Sequence, residues 1–345
     1  MNDAARTDSS SIDVSVISPF YNEAGIIEHA ICKMLEQLAA LPGQWELIVV
    51  NDGSTDGSDE IAGRLAREHP AVRLLSYPRN RGRGYALRTG IAAARGDTIV
   101  TTEIDLSWGD TIVAELHAAM RRWPEADIVV ASPHLPGGGY KNVPPKRVWL
   151  SRVGNHIIRL CMSNAVTMNT GMTRAYRRAV IQSLPLFEDD KELHLEVLLK
   201  ATAFGYRVRE IPAILEWKDY KLRDQPVPRQ SSSRVNRLIV SHSLFSIFAN
   251  PVRYVWTMSL LSFAFGVVAF VGAVILFYLR MVSAYTALLS LSLFVVAILL
   301  FVLGVVLKQG NIIQRELWMV QRYQLDLQRQ RPRGDESDGR RQSIG

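Results

Sequence analysis

Charge is scarce in this chain, and the scarcity is confined to one place. Of the 345 residues 21% are charged, but residues 254–307 hold a single one, Arg280. Without that block the charged share rises to about 25%, the usual level for a globular protein. A soluble domain joined to a membrane segment is therefore expected. Cysteine is nearly missing too: Cys32 and Cys161 are the only two, with neither CxxC nor metal-ligand spacing. That leaves no disulfide framework, and free thiols suit a reducing cytosol. The polar first residues, 1–11, lack an apolar h-region, so no cleaved signal is expected.

The net charge of +7 is just as uneven. Residues 1–217 carry 24 Lys/Arg against 26 Asp/Glu, and the whole positive excess flanks the apolar block. A nucleic-acid partner is not expected, because a binding domain should carry its own basic face. Basic residues beside apolar runs point instead to cytoplasmic loops and anionic headgroups. Residues 255–279 and 283–307 are uncharged runs of 25 residues. Each is long enough to cross a hydrocarbon core of about 30 Å. Arg234, Arg237 and Arg253 precede the pair and Lys308, Arg315 and Arg322 follow it. This predicts a tight hairpin in the cytoplasmic (inner) membrane, multi-pass, with both termini and the soluble domain cytoplasmic.

From Val14 the chain alternates short β-branched runs with amphipathic stretches. The runs lie at 14–18, 47–50, 72–75, 98–102 and 128–131, and helical patterns at 26–39, 58–68, 84–94 and 110–122. Such alternation predicts an α/β domain whose mainly parallel sheet is covered on both faces. Ligands on these sheets bind beyond the carboxyl ends of the strands. Residues 19–23, 51–56 and 103–105 occupy those ends, and all three segments carry carboxylates. Gly137-Gly138-Gly139 reads as a mobile loop, and Pro144-Pro145 as the start of a helix. Residues 234–248 read as an interfacial helix or an ordinary surface helix.

Chemistry can be read loop by loop. Asp52, just after a buried run, suits acceptance of a nucleobase N–H, and Gly53 would let backbone approach the ring. Glu103 and Asp105, at i and i+2, can share one Mg²⁺ or Mn²⁺ whose other ligands come from a diphosphate and water. Arg147, Ser151 and Asn155, at i, i+4 and i+8, fall along one helix face, where a guanidinium and a hydroxyl suit a phosphate.

Together the segments Pro19-Phe20-Tyr21-Asn22-Glu23, Asp52-Gly53-Ser54-Thr55-Asp56 and Glu103-Ile104-Asp105 resemble the P-x-Y-N-E, D-D-G-S-x-D and D-x-D patterns of family-2 glycosyltransferases with the GT-A (Rossmann-like) fold. With two C-terminal spans, the resemblance is to the polyprenyl-phosphate glycosyltransferases, such as dolichol-phosphate mannose synthase. It implies a donor pocket framed by Pro19, Tyr21, Glu23 and Asp52, a metal held by Asp105 with Glu103, and a lipid phosphate held by Arg147 and Ser151. Arg83 replaces the Lys of N-x-G-K-G and is either a base or diphosphate contact or a surface residue. Glu196 is either a sugar contact or a buried structural carboxylate. Arg229 and Arg234 are candidate diphosphate contacts. Departures are Glu103 for Asp, Thr167 for an acidic residue, and Ser132-Pro133-His134 for Ser-Arg-Tyr.

These readings give a disordered start (1–12), a GT-A domain (13–218), a linker with the 234–248 helix (219–253), two spans (254–307), and a C-terminal helix and tail (308–345). The implied reaction is inverting transfer from a UDP- or GDP-sugar to a polyprenyl phosphate, without a protein general base, since a phosphate monoester with its second pKa near ~6 is already ionised. Two alternatives stay open. One is transfer to a glycan or lipid hydroxyl, although the Q-x-x-R-W of processive synthases is absent. The other is an inactive membrane scaffold. A helix at 312–327 leaves a homo-oligomer open as well.

Overall fold

Four strands, Val14–Phe20, Trp45–Asn51, Thr98–Thr101 and Ile128–Ser132, are runs rich in β-branched residues that are buried along all or nearly all of their length. In chain order the elements are β1 Val14–Phe20, α1 Ile27–Ala39, β2 Trp45–Asn51, α2 Ser58–Glu68, β3 Val72–Ser76, α3 Arg83–Ala93, β4 Thr98–Thr101, α4 Ile112–Arg122 and β5 Ile128–Ser132. Then come β6 Gly139–Lys141, α5 Pro145–Met162, β7 Arg174–Arg177, α6 Arg178–Ile181, α7 Leu193–Ala203, β8 Val208–Pro212 and β9 Ile214–Glu216. This computed structural model describes residues 12–162, 166–217, 221–222, 225–226, 251–279 and 284–330. Arg229, Arg234 and the helix expected at 234–248 lie outside the described residues. The chain divides into two units, Met1–Ala249 and Asn250–Gly345.

In the first unit the main sheet has the order β3-β2-β1-β4-β7-β5-β8. β1 pairs in parallel with β2 and β4, β2 with β3, and β5 with β8. β7 alone runs antiparallel, between β4 and β5. The five expected strands and four expected helices are all present, with ends shifted by a residue or two. Helix α1 shows why: Ile27, Ala30, Ile31, Met34 and Leu38 fall on one face and are all buried. The strand at 174–177 was not expected, because four residues with two arginines carry no strand-like pattern.

At the amino end of β2, the buried Glu46 carboxylate accepts from Ser15 Oγ (2.6 Å), Arg73 Nη1 (2.7 Å) and Arg95 Nη2 (2.9 Å). Burial pushes this carboxyl up, but the donors more than offset it and hold it below the ordinary range. This end of the sheet is built for stability, which leaves the opposite end for ligands.

Of the glycine run 137–139, Gly137 (φ 89°) and Gly138 lie in the loop that the run was expected to form, and the third is in a strand. Gly139 begins β6, which pairs in parallel with β9 to form a separate two-stranded sheet.

The second unit is a pair of helices, Pro251–Tyr278 and Ala284–Gln330. Segments Tyr254–Tyr278 and Ala284–Gly310 are long and apolar enough to cross a membrane, with mean hydropathy 2.7 and 3.0. The helices are tied by Ser259 Oγ to Ala297 O (2.8 Å), Ser262 Oγ to Leu293 O (2.9 Å) and Ser290 Oγ to Gly266 O (3.0 Å). Serines bonding across the pair satisfy their hydroxyls without water. The second span and the C-terminal helix, expected as separate elements, form one helix of 47 residues, about 70 Å long at ~1.5 Å per residue.

Candidate active site

β1, β2 and β4 end side by side, and the three acidic segments leave the sheet there. Asn22 takes a left-handed backbone (φ 55°), and its Oδ1 accepts from Thr55 N at 2.9 Å while its own N–H donates to Ser54 Oγ at 3.0 Å. Asp56 accepts from Ala24 N (2.9 Å) and Ser58 N (3.1 Å), so it clasps the first loop to the second and holds the first amide of α2, whose N-cap is Gly57. The first two motifs are thus one hydrogen-bonded unit.

Asp52 is 4% exposed, and its two oxygens receive four donors from residues 77–82. Tyr77 OH and Arg81 N lie 2.8 Å from Oδ1, and Asn80 Nδ2 (2.9 Å) and Gly82 N (3.1 Å) donate to Oδ2. A carboxylate offers about four acceptor sites. Asp52 therefore orders this loop, and a nucleobase N–H can bind it only in exchange for one of these donors. Burial, then the bond to Asp52, pushes the Tyr77 phenol far above its ordinary value. A Cβ at Gly53 (φ 70°) would sit 2.4 Å from Arg79 C, so the space beside Gly53 is filled by backbone rather than left for a ring.

The third segment turns sharply. Leu106, buried, has φ 53°, a conformation that costs a side-chain-bearing residue roughly 1–2 kcal/mol. The turn brings Ser107 N to 3.0 Å from Asp105 Oδ1. Glu103 Oε2 accepts from Thr173 Oγ1 at 2.5 Å. Both acids border a cleft of about 820 Å³. Among the described residues no three His, Cys, Asp or Glu side chains converge into a closed metal cage. Two hard oxygen donors on an open cleft fit a Mg²⁺ or Mn²⁺ ion that takes its other ligands from diphosphate and water.

Of the residues singled out from the sequence, Pro19, Tyr21, Glu23, Asp52, Arg83, Glu103, Asp105, Arg147 and Ser151 all line this one cleft. Arg147 lies 4.4 Å over the Trp217 ring. Tyr140 OH lies 3.0 Å from Ser151 Oγ and 3.3 Å from His134 Nε2. Burial, then Arg152, holds the His134 imidazole below its ordinary value.

Asn155 lies away from the cleft that it was expected to line, the surroundings of Glu196 fit one of its two readings, and Thr167 has a carboxylate partner of its own. Asn155 does not border the cleft: it is buried, bonding Ser151 O through Nδ2 (2.9 Å) and Asn169 N through Oδ1 (2.7 Å). Glu196 does not border it either. It is buried, accepts from Phe187 N (3.0 Å) and Glu188 N (2.9 Å), and pairs with Lys200, which is the structural alternative left open for it. Thr167 is gripped by Glu210, whose oxygens accept from Thr167 N (2.8 Å), Thr167 Oγ1 (2.9 Å) and Met168 N (3.0 Å).

Sequence reasoning missed Tyr140, Lys191, Glu216 and Trp217, which also line the cleft. Trp217 and Glu216 carried no motif. Lys191 did leave a signal, as the one cation in the acidic run 188–192.

Residues 15–184 match the Glycosyl transferase family 2 model. This domain belongs to that family. The family 2 domain is 33% identical over 220 residues to glycosyltransferase AglD of Haloferax volcanii, covering 62% of this chain and 34% of that protein. It is 31% identical over 161 residues to a dolichyl-phosphate beta-glucosyltransferase of Trichomonas vaginalis, covering 43% of this chain and 47% of that one. The chain thus spans about a third to a half of the length of the curated relatives it matches. Among solved structures, glucosyl-3-phosphoglycerate synthase from Mycobacterium tuberculosis, in complex with Mn²⁺ and UDP, superposes with a TM-score of 0.50 at 19% identity. That match covers 68% of this chain and 80% of the other. It shows the fold, which is the GT-A fold expected from the motifs.

Proposed function

We propose that this protein transfers a sugar from a UDP- or GDP-sugar to a polyprenyl phosphate at the cytoplasmic face of a membrane, with inversion at the anomeric carbon. The observation that carries the reading is that one cleft is bordered both by Glu103 and Asp105 and by Arg147, Ser151 and Tyr140. A donor's leaving group and an anionic acceptor can therefore meet in it. The dolichyl-phosphate glucosyltransferase among the relatives and the two membrane-length helices support the acceptor. The basic flanks of those helices support the cytoplasmic face.

A phosphate oxygen of the acceptor attacks the anomeric carbon, the bond to the diphosphate oxygen breaks, and its electron pair leaves with the nucleoside diphosphate. Asp105 and Glu103 would hold a divalent ion, which supplies neutralisation of the leaving diphosphate. Arg147, kept in place over Trp217, and the Ser151 and Tyr140 hydroxyls orient the attacking phosphate. No protein base is needed, because that oxygen is already ionised at neutral pH. Glu23 and Tyr21 frame the donor beside the loop that Asp52 orders.

The test is to incubate the full chain in detergent with polyprenyl phosphate, Mn²⁺ and a panel of nucleotide sugars. Stoichiometric release of nucleoside diphosphate and glycolipid from one donor is expected. Donor turnover only with a hydroxyl acceptor would overturn the acceptor assignment. Donor binding without turnover on any acceptor would favour the inactive scaffold.

A further inference from the structure

We propose that Lys191 joins Arg83 in an anion subsite for the donor's diphosphate, making Lys191 a substrate-binding residue of the transfer reaction. The inference rests on the donor reading above.

Both side chains border the cleft, yet they come from elements far apart in the chain. Backbone packing joins those elements. Tyr85 N donates to Asp189 O at 3.0 Å, and the Arg88 guanidinium bonds Leu186 O at 2.9 Å and the Asp189 carboxylate. A Cβ at Gly82 would lie 2.4 Å from Asp189 O, and one at Gly84 would lie 2.5 Å from Asp190 O. On its other side the same loop is held by Glu196 through the Phe187 and Glu188 amides. The glycines flanking Arg83 thus serve close contact with residues 188–190, and that contact sets Lys191 beside Arg83.

Neither cation has an ion-pair partner among the described residues. The neighbouring Asp189 is taken by Arg88, and Asp190 Oδ1 accepts from the Lys191 backbone amide at 2.9 Å. Burial, then the Arg83 charge, holds the Lys191 ammonium below its ordinary value, while Asp190 and Glu192 act the other way. Two like charges at one cleft wall repel, and an anion between them gains by relieving that repulsion. The diphosphate is the better occupant because Arg83 directly follows the 77–82 loop ordered by Asp52, on the donor side. The cation of the acceptor wall is Arg147, stacked on Trp217.

The full chain in detergent with Mn²⁺ is titrated calorimetrically with UDP, GDP, UMP, GMP and a short-chain polyprenyl phosphate. Lys191→Met should weaken the bound nucleoside diphosphate about tenfold, as expected for one charge-assisted hydrogen bond. It should weaken the monophosphate less, because that ligand carries one fewer of the phosphate groups that the subsite holds. Lys191→Arg should restore most of the affinity, and an unchanged melting temperature for Lys191→Met separates this from misfolding. Undiminished nucleoside diphosphate binding by a folded Lys191→Met overturns the proposal. Loss of polyprenyl phosphate binding instead assigns the subsite to the acceptor and overturns it equally. If the unmodified chain binds no nucleoside diphosphate, the donor reading itself falls, and this proposal falls with it.

Discussion

Gly84→Ala and Gly154→Ala make the same chemical change inside a helix, and the structure gives them opposite signs. Replacing a helical glycine by alanine gains about 1 kcal/mol from reduced backbone freedom in the unfolded chain. At Gly154, in α5, the added methyl meets nothing within 4 Å, so that gain should appear undiminished. At Gly84, in α3, the Cβ would lie 2.5 Å from Asp190 O and 2.7 Å from both Asp189 C and Glu188 O. These are backbone atoms, and that stretch is also held by Tyr85 N, Arg88 and Glu196, so it cannot swing aside as a flexible side chain would. Overpacking of this kind costs typically about 1–3 kcal/mol, and contact with three backbone atoms puts it at the upper end. Gly84→Ala should therefore lose about 1–2 kcal/mol net, or several degrees at about 2–4 °C per kcal/mol for a domain of this size. Thermal unfolding of the two variants and the unmodified chain checks this, with nucleoside diphosphate affinity as a second readout. Gly84→Ala should also bind more weakly, because the displaced loop carries Lys191. A Gly84→Ala variant as stable as Gly154→Ala, with unchanged nucleotide affinity, would refute the claim that packing at this glycine builds the cleft.

Asp105→Ala should abolish glycolipid formation while no other carboxylate variant yields a pH–rate profile of general-base type; kinetics across about pH 7–9, where a phosphate acceptor with its second pKa near ~6 stays mostly ionised, reads both. Glu196→Gln should leave the order of preference among nucleotide sugars unchanged but lose about 3 kcal/mol of stability, since it leaves buried Lys200 without its partner; donor competition and chemical denaturation measure the two effects. Glu46→Gln should destabilise the domain at neutral pH. The Glu46 carboxyl is held below its ordinary value of 4.5 when folded, so its contribution is present above that value and is lost as pH falls through the depressed one. The difference between Glu46→Gln and the unmodified chain, followed by unfolding at several pH values, should therefore shrink in acid.

The sequence by itself determined the framework. Alternating runs set the strands and helices, because burial on a sheet or helix face imposes a local period that a single chain displays directly. The rule that ligands bind beyond the carboxyl ends of parallel strands then placed the loops at 19–23, 51–56 and 103–105 in one site. The two membrane-length helices were legible for the same reason, from an absence of charge over consecutive residues. What only the tertiary structure decided is which polar groups face the cleft and which are spent holding it together. Asp52 turned out to carry four donors from the loop beside it, while Asn155 and Glu196 are consumed by backbone amides. Strand β7 enters the sheet through pairing with β4 and β5 rather than through any pattern of its own. Lys191 and Arg83 border the same cleft, where glycines at 82 and 84 let the two backbones touch. Periodicity is a property of neighbours in the chain; hydrogen-bond saturation and convergence depend on neighbours in space, and no local pattern records those.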